Sequence, residues 1–65
     1  MSWTVFWKDR GGGPEVRSSN RSREVALDAA CNLSRYETLL RIEGPNGEVI
    51  EREAIEQLCK DRPRR

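Results

Sequence analysis

The stretch "WTVFWK", residues 3–8, decides which side of the fold is inside. Aromatic and β-branched residues predominate in it, which is typical of a β-strand. Successive side chains of a strand point to opposite faces of the sheet. The two faces here are Trp3, Val5 and Trp7 on one side and Thr4, Phe6 and Lys8 on the other. The first face has the larger apolar area, so we assign it to the core.

Turn and strand patterns alternate around this segment. Gly11-Gly12-Gly13-Pro14 predicts a loop, because glycine loses the most entropy on ordering and proline cannot pair in a ladder. A short return strand is expected at residues 15–18. Residues 38–43 and 48–51 predict a second hairpin. Its turn is Gly44-Pro45-Asn46-Gly47, in which proline presets φ and Asn46 or Gly47 takes a positive φ.

Two helices are predicted, one after each hairpin. Ser22 is the expected N-cap of the first, which should run from about residue 23 to residue 34. Its buried stripe is rich in small alanines, which lets the helix approach the large tryptophans closely. The second helix is expected at residues 52–61, where Ile55, Leu58 and Cys59 share one side.

The order β-β-α-β-β-α predicts a two-layer α+β fold with a four-stranded, mostly antiparallel sheet, one main helix and a short C-terminal helix. We expect residues 1–61 to form a single domain and residues 62–65 to be a frayed basic tail. Hydrophobic residues make up 35% of the 65-residue chain, against about 45–50% in an average globular protein. The core must therefore be thin, and such a core rarely supplies more than about 3–5 kcal/mol of net stability.

Alternation along the strands then assigns the rest of both sheet faces. The core face is expected to carry Trp3, Val5, Trp7, Val16, Leu40, Ile42 and Val49. The opposite face is expected to carry Thr4, Phe6, Lys8, Glu15, Arg17, Leu39, Arg41, Glu43, Glu48, Ile50 and Arg52. That second face would have an apolar centre with a charged rim.

Four interpretations of the second face remain open. The C-terminal helix could fold across it and cover its apolar centre. A protein partner or a second copy of the chain could bind there, as an apolar centre with a charged rim would suit. Nucleic acid could bind, with Phe6 stacking on a base and Arg17, Arg41 and Arg52 contacting phosphates. The face could also be an ordinary solvated surface with weak ion pairs.

The residue types argue against catalysis. The chain has no histidine, the commonest general base and metal ligand. The triple-glycine loop lacks the lysine and hydroxyl residue of a P-loop. The acidic residues near the end of the chain are better explained as a solvated helix flank than as a metal site. We therefore expect no enzyme activity, no cofactor and no metal.

The cysteines and the hydropathy bear on the cellular compartment. No stretch approaches the ~20 apolar residues that span a membrane, and no signal-peptide pattern is present. We therefore expect a cytoplasmic protein without membrane contact. Cys31 and Cys59 lie among apolar neighbours, so reduced, buried thiols are the expectation, although their spacing also permits a disulfide.

Part of the chain resembles a small bacterial family catalogued as a domain of unknown function. The matching residues are Ser22, Glu24, Ala26, Ala29 and Ala30 in the helix, then Leu40-Arg41-Ile42-Glu43-Gly44 and Gly47-Glu48-Val49. The similarity covers residues 3–51. It departs at Pro14-Glu15, where the family has an aromatic residue, and after residue 51, where the family ends in an extended tail. The resemblance implies the fold and carries no functional residue across.

The sequence thus favours a non-catalytic module that acts through protein contact or homodimerisation at the second sheet face. The expected interaction residues are Phe6, Lys8, Arg17, Leu39, Arg41, Ile50 and Arg52. Nucleic-acid binding through Phe6 and the three arginines is the alternative. The glutamates interspersed among those arginines oppose it, because they would repel phosphates.

Overall fold

A computed structural model describes residues 2–61, and its element order matches the predicted β-β-α-β-β-α pattern. The elements are β1 (Trp3–Lys8), β2 (Val16–Asn20), α1 (Arg23–Leu33), β3 (Thr38–Glu43), β4 (Val49–Glu51) and α2 (Arg52–Asp61). The strands form one antiparallel sheet in the order β2-β1-β3-β4. This confirms the α+β class. The predicted basic tail lies outside the described residues.

The boundaries differ from expectation mainly at β2. This strand begins at Val16 and continues through Asn20, whereas the return strand was expected at residues 15–18. α1 begins where predicted, and the Ser22 hydroxyl accepts a hydrogen bond from the Val25 amide at 3.2 Å. That bond satisfies one of the amides left without a partner in the first helical turn. α2 spans the predicted residues.

Both helices pack on the same side of the sheet. The core cluster joins Ala26, Leu27 and Ala30 of α1 and Ile55 of α2 to Val5, Leu39 and Ile42 of the sheet. Trp3 and Trp7 are half-buried against that cluster, as their alternation predicted. The possibility that α2 covers the other face is therefore wrong, because its one fully buried residue lies in the core beside α1.

A β-bulge in β3 changes which residues of this strand face the core. Phe6 pairs with Arg41 while Trp7 pairs with Leu39, so Leu40 has no partner in β1. The extra residue lets Leu39 and Ile42 both reach the core, although they are three positions apart. The prediction that Leu40 fills the core and Leu39 faces outward was wrong.

The register of the second hairpin also differs from the prediction, by one position. Ile50 pairs with Ile42 and packs against the core, whereas Val49 pairs with Glu43 and is 51% exposed. The predicted sides of Val49 and Ile50 are therefore exchanged. Val16 pairs with Trp7 on the helix side, but it lies on an edge strand and stays exposed.

The turn between β3 and β4 uses its two glycines differently. Gly47 has φ of +77°, the conformation that the turn pattern predicted for Asn46 or Gly47. The Gly44 amide donates to the Glu48 carbonyl at 2.7 Å and closes the turn. A Cβ on Gly44 would lie 2.7 Å from Cζ3 of Trp3, so the indole packs directly on this backbone.

Cys31 and Cys59 form a disulfide that joins α1 to α2, with their Cα atoms 5.7 Å apart. The expectation of two reduced thiols was wrong. Each cysteine lies near the C-terminal end of its helix, and only the docking of α2 beside α1 brings them together. The bond closes a covalent ring with a sequence separation of 28. Closing a loop of that size contributes roughly 3–4 kcal/mol in the chain-entropy account.

Candidate protein-contact face

The side of the sheet opposite the helices carries two rows of side chains that cross all four strands. One row is Ser19, Thr4, Glu43 and Val49, in the order β2-β1-β3-β4. The next is Arg17, Phe6, Arg41 and Glu51, and Lys8 and Thr38 follow as a shorter third row. These ten residues are called the open face. Residues paired across antiparallel strands share a face, which places them together.

Phe6 lies at the centre of the open face and is only 7% exposed. The guanidinium carbon of Arg41 lies 4.1 Å from the centroid of its ring. A cation at that distance over an aromatic face is attracted by the ring's quadrupole. Phe6 is therefore covered by a neighbour on its own side of the sheet and does not belong to the core cluster.

Two carboxylates hold Arg41 in this position. Its Nε donates to Glu43 Oε2 at 2.7 Å, and its Nη1 donates to Glu15 Oε1 at 3.3 Å. The bond to Glu43 raises the pKa of Arg41, burial lowers it, and the bond to Glu15 raises it again, with a net upward shift. Arg41 consequently stays charged, and its side chain is 31% exposed.

Charge is divided between the two edges of the open face. Lys8 and Arg17 lie toward β2, and both are exposed. Glu43 and Glu51 lie toward β4, where Glu51 is exposed and Glu43 is half-buried. Arg41 lies between the two edges and is ion-paired with Glu15 and Glu43. Lys8 and Arg17 therefore make one edge basic, and Glu51 makes the other acidic.

The predicted interaction residues do not all meet on this face. Phe6, Lys8, Arg17 and Arg41 do, as expected. Leu39 and Ile50 pack into the core instead. Arg52 is the first residue of α2, so it does not belong to the sheet. The predicted apolar centre is thus reduced to one phenylalanine beneath an arginine.

Several features of the open face escaped the sequence interpretation, namely one ion pair and four members of the face: Ser19, Thr38, Val49 and Glu51. Val49 and Glu51 were missed as members of the face because the bulge and the hairpin register are not readable from alternation. The bond from Arg41 to Glu15 joins residues 26 positions apart and depends on how the loop after β1 folds back. An Arg, Phe and Glu pattern on adjacent strands would have been the signal, but only with the register known.

Within residues 2–61, no group of three or more histidine, cysteine, aspartate or glutamate side chains is placed to hold a metal ion. None of the helices in that same range is long and apolar enough to cross a bilayer. Comparisons with protein-family models, with curated proteins and with solved structures return no match to this chain.

Proposed function

We propose that this chain is a non-catalytic module that associates with a second copy of itself through the open face. The observation that carries the proposal is the division of charge on a face that neither helix covers. A surface that is basic at one edge and acidic at the other is complementary to a rotated copy of itself. Dimers with one twofold axis are the commonest assemblies of identical chains.

We infer one arrangement of the two copies from the strand order β2-β1-β3-β4. A twofold axis parallel to the strands sets β2 of one copy over β4 of the other. Arg17 then opposes Glu51 of the second copy, and Phe6 opposes Arg41 of the second copy. Two sheets packed face to face lie about 10 Å apart, within the reach of these long side chains. Each contact occurs twice, because the interface is the same on both copies.

Two further features favour this use of the face. Val49 is 51% exposed at the acidic edge, and association would remove its apolar surface from water. Arg41 is already held by Glu15 and Glu43, so a partner would not have to order its long side chain. Complementary charge mainly sets orientation and association rate, so we expect a weak dimer of defined geometry.

The non-catalytic part of the proposal rests on residue chemistry. The sequence has no histidine, and the cysteines are joined to each other, which leaves no thiol nucleophile in the oxidised chain.

Sedimentation equilibrium combined with a charge exchange tests the dimer. At roughly 1 mM protein, the wild type should show dimer even if the dissociation constant is as weak as about 1 mM. That constant corresponds to a binding free energy of about −4 kcal/mol. Arg17→Glu and Glu51→Arg should each shift the mass toward monomer by setting like charges opposite one another. The double variant should restore the dimer, because the exchanged charges face each other again.

Matched controls use the helical side of the molecule. Arg23→Glu and Glu56→Arg make the same charge changes at exposed positions of α1 and α2. Both should sediment like the wild type. A wild type that is wholly monomeric at that concentration, or a double variant no better than either single variant, would overturn the proposal.

Nucleic acid is the weaker alternative. Arg41 occupies one side of the Phe6 ring where a base would stack, and it is engaged by two carboxylates. Arg52 lies in α2, away from the row that holds Arg17. We expect no amide shifts on titration with a single-stranded oligonucleotide at low salt. Salt-dependent shifts at the residues of the open face would favour this alternative instead.

We propose that the protein is cytoplasmic. We also propose, on the resemblance described above, that it is related to the small bacterial family. Disulfides are rare in the cytoplasm, where those that do form are mostly transient and regulatory. Trapping the thiols of Cys31 and Cys59 during cell lysis tests the compartment. A cytoplasmic chain should show a reduced fraction, whereas complete oxidation would place it in an oxidising compartment.

A further inference from the structure

The C-terminal segment, β4 with α2, is held to the rest of the molecule by few interactions. β4 has three residues and pairs on one side only, with β3. α2 begins at the next residue, Arg52, so no loop separates the two elements. Among the described residues of α2, Ile55 alone is fully buried, and Leu58 is half-buried against the core. An isolated helix of ten residues is marginal in water.

The disulfide is the covalent part of this attachment. Cys59 lies in the last turn of α2, beyond Ile55, and ties that end of the helix to Cys31 of α1. Without the bond, α2 would be retained by one buried isoleucine and its half-buried neighbours. Both cysteines are half-buried, so a small thiol can approach the bond without prior unfolding of the sheet.

We propose that Cys31–Cys59 is a redox latch, whose reduction releases α2 and β4 while β1, β2, β3 and α1 stay folded. The remaining part keeps both five-residue ladders of β1 and most of the core cluster. The released part includes Glu51, the acidic residue at the β4 edge of the open face, and the exposed Val49 beside it. Reduction thus removes the proposed partner of Arg17.

The chemistry is thiol–disulfide exchange with a dithiol. A thiolate of the reductant attacks one cysteine sulfur, the bond between Cys31 and Cys59 breaks, and the departing thiolate takes a proton. The second thiol of the reductant then displaces the other cysteine. The products are two cysteine thiols and one oxidised dithiol, and oxidation by a small disulfide reverses the exchange. In the cytoplasm the reduced thiol pool would supply the reductant.

The effect on self-association rests on the proposed function, whereas the release of α2 does not. Hydrogen exchange and sedimentation therefore give separate answers. If the chain is monomeric in both redox states but α2 loses hydrogen-exchange protection on reduction, the redox latch is supported and the proposed dimer is contradicted. If the protein is a dimer and reduction changes neither its mass nor its hydrogen-exchange protection, the proposed dimer is supported and the redox latch is contradicted.

The test is amide hydrogen exchange, segment by segment, with and without dithiothreitol. We expect residues 49–61 to lose their protection completely on reduction, whereas β1 and α1 keep measurable protection. The proposal would be overturned if protection from exchange fell to the same level in every segment, or if α2 lost no protection.

The control is the double variant Cys31→Ala with Cys59→Ala. It should match the reduced wild type without any reductant and should not respond to dithiothreitol. A double variant that keeps full protection in α2 would contradict the latch, because the bond would then be unnecessary for holding the helix.

Discussion

The two faces of the sheet are stabilised in different ways. The helix side is apolar, and Val5, Ile42 and Ile55 are completely removed from water there. The open face has one buried apolar group, Phe6, which Arg41 covers, and one exposed apolar residue, Val49. One side depends on close packing, in which every methylene group matters, and the other on electrostatic positioning of a few long side chains. Substitutions on the two sides should therefore have very different costs.

Truncating one apolar side chain on each face of the sheet should give the largest difference in stability between the two faces. Ile42→Ala leaves a cavity in the core and should lower the free energy of unfolding by about 4 kcal/mol. Val49→Ala removes a half-exposed side chain from the open face and should cost less than about 0.5 kcal/mol. Urea unfolding at low temperature with the disulfide intact measures both values. Equal losses would mean that the open face is packed as tightly as the core.

A second pair of variants tests the bulge in β3. Leu39→Ala should cost about 3 kcal/mol because Leu39 is 3% exposed within the core cluster. Leu40→Ala should cost about 1 kcal/mol, since Leu40 is half-buried and outside that cluster. The midpoints of urea unfolding give the order directly. The reverse order would restore the simple alternation that the sequence predicts for this strand.

Gly44→Ala tests the contact between the hairpin and the core-facing tryptophans. The added methyl would lie 2.7 Å from the Trp3 ring, so either the indole or the turn must shift. We expect a loss of about 2 kcal/mol and a change in tryptophan fluorescence, as overpacking in a well-packed site typically produces. Gly11→Ala is the control, because a Cβ there meets nothing within 4 Å. Identical behaviour of the two variants would contradict the contact.

Arg41→Met should have a small effect on stability, about 1 kcal/mol. The substitution removes the cation from above Phe6 and both ion pairs while it keeps much of the apolar cover. Added salt should weaken the wild type slightly and the variant less, because screening acts on the ion pairs. Chemical denaturation at two concentrations of sodium chloride measures this difference. A variant that responds to salt as strongly as the wild type would show that the ion pairs contribute nothing.

The parts of the fold that depend on local sequence could be predicted. The alternation in β1 places Trp3 and Trp7 on the core side, and Ser22 caps α1, because strand faces and helix ends are set by neighbouring residues. The bulge at Leu40 could not be predicted, since one unpaired residue changes the register without leaving a sequence signal. The error at Val49 and Ile50 is of the same kind.

The disulfide and the composition of the open face required tertiary information. Cys31 and Cys59 come together only because α2 packs beside α1, and neither helix pattern specifies that arrangement. The cover over Phe6 likewise depends on Glu15 reaching Arg41 from the loop after β1. Sequence reasoning therefore placed Phe6 and Arg41 on the correct side of the sheet but gave them the wrong neighbours.

The covalent ring has a mechanical consequence. When the chain is pulled from its two ends, the bond between Cys31 and Cys59 carries the load past β3, β4 and most of α2. The 28 residues of separation cannot contribute to extension, so the oxidised molecule should stretch about 95 Å less than the reduced one. Resistance then falls on β1 and β2, whose loaded ends lie side by side at Trp3 and Asn20, so the pull opens this ladder one pair at a time from that end.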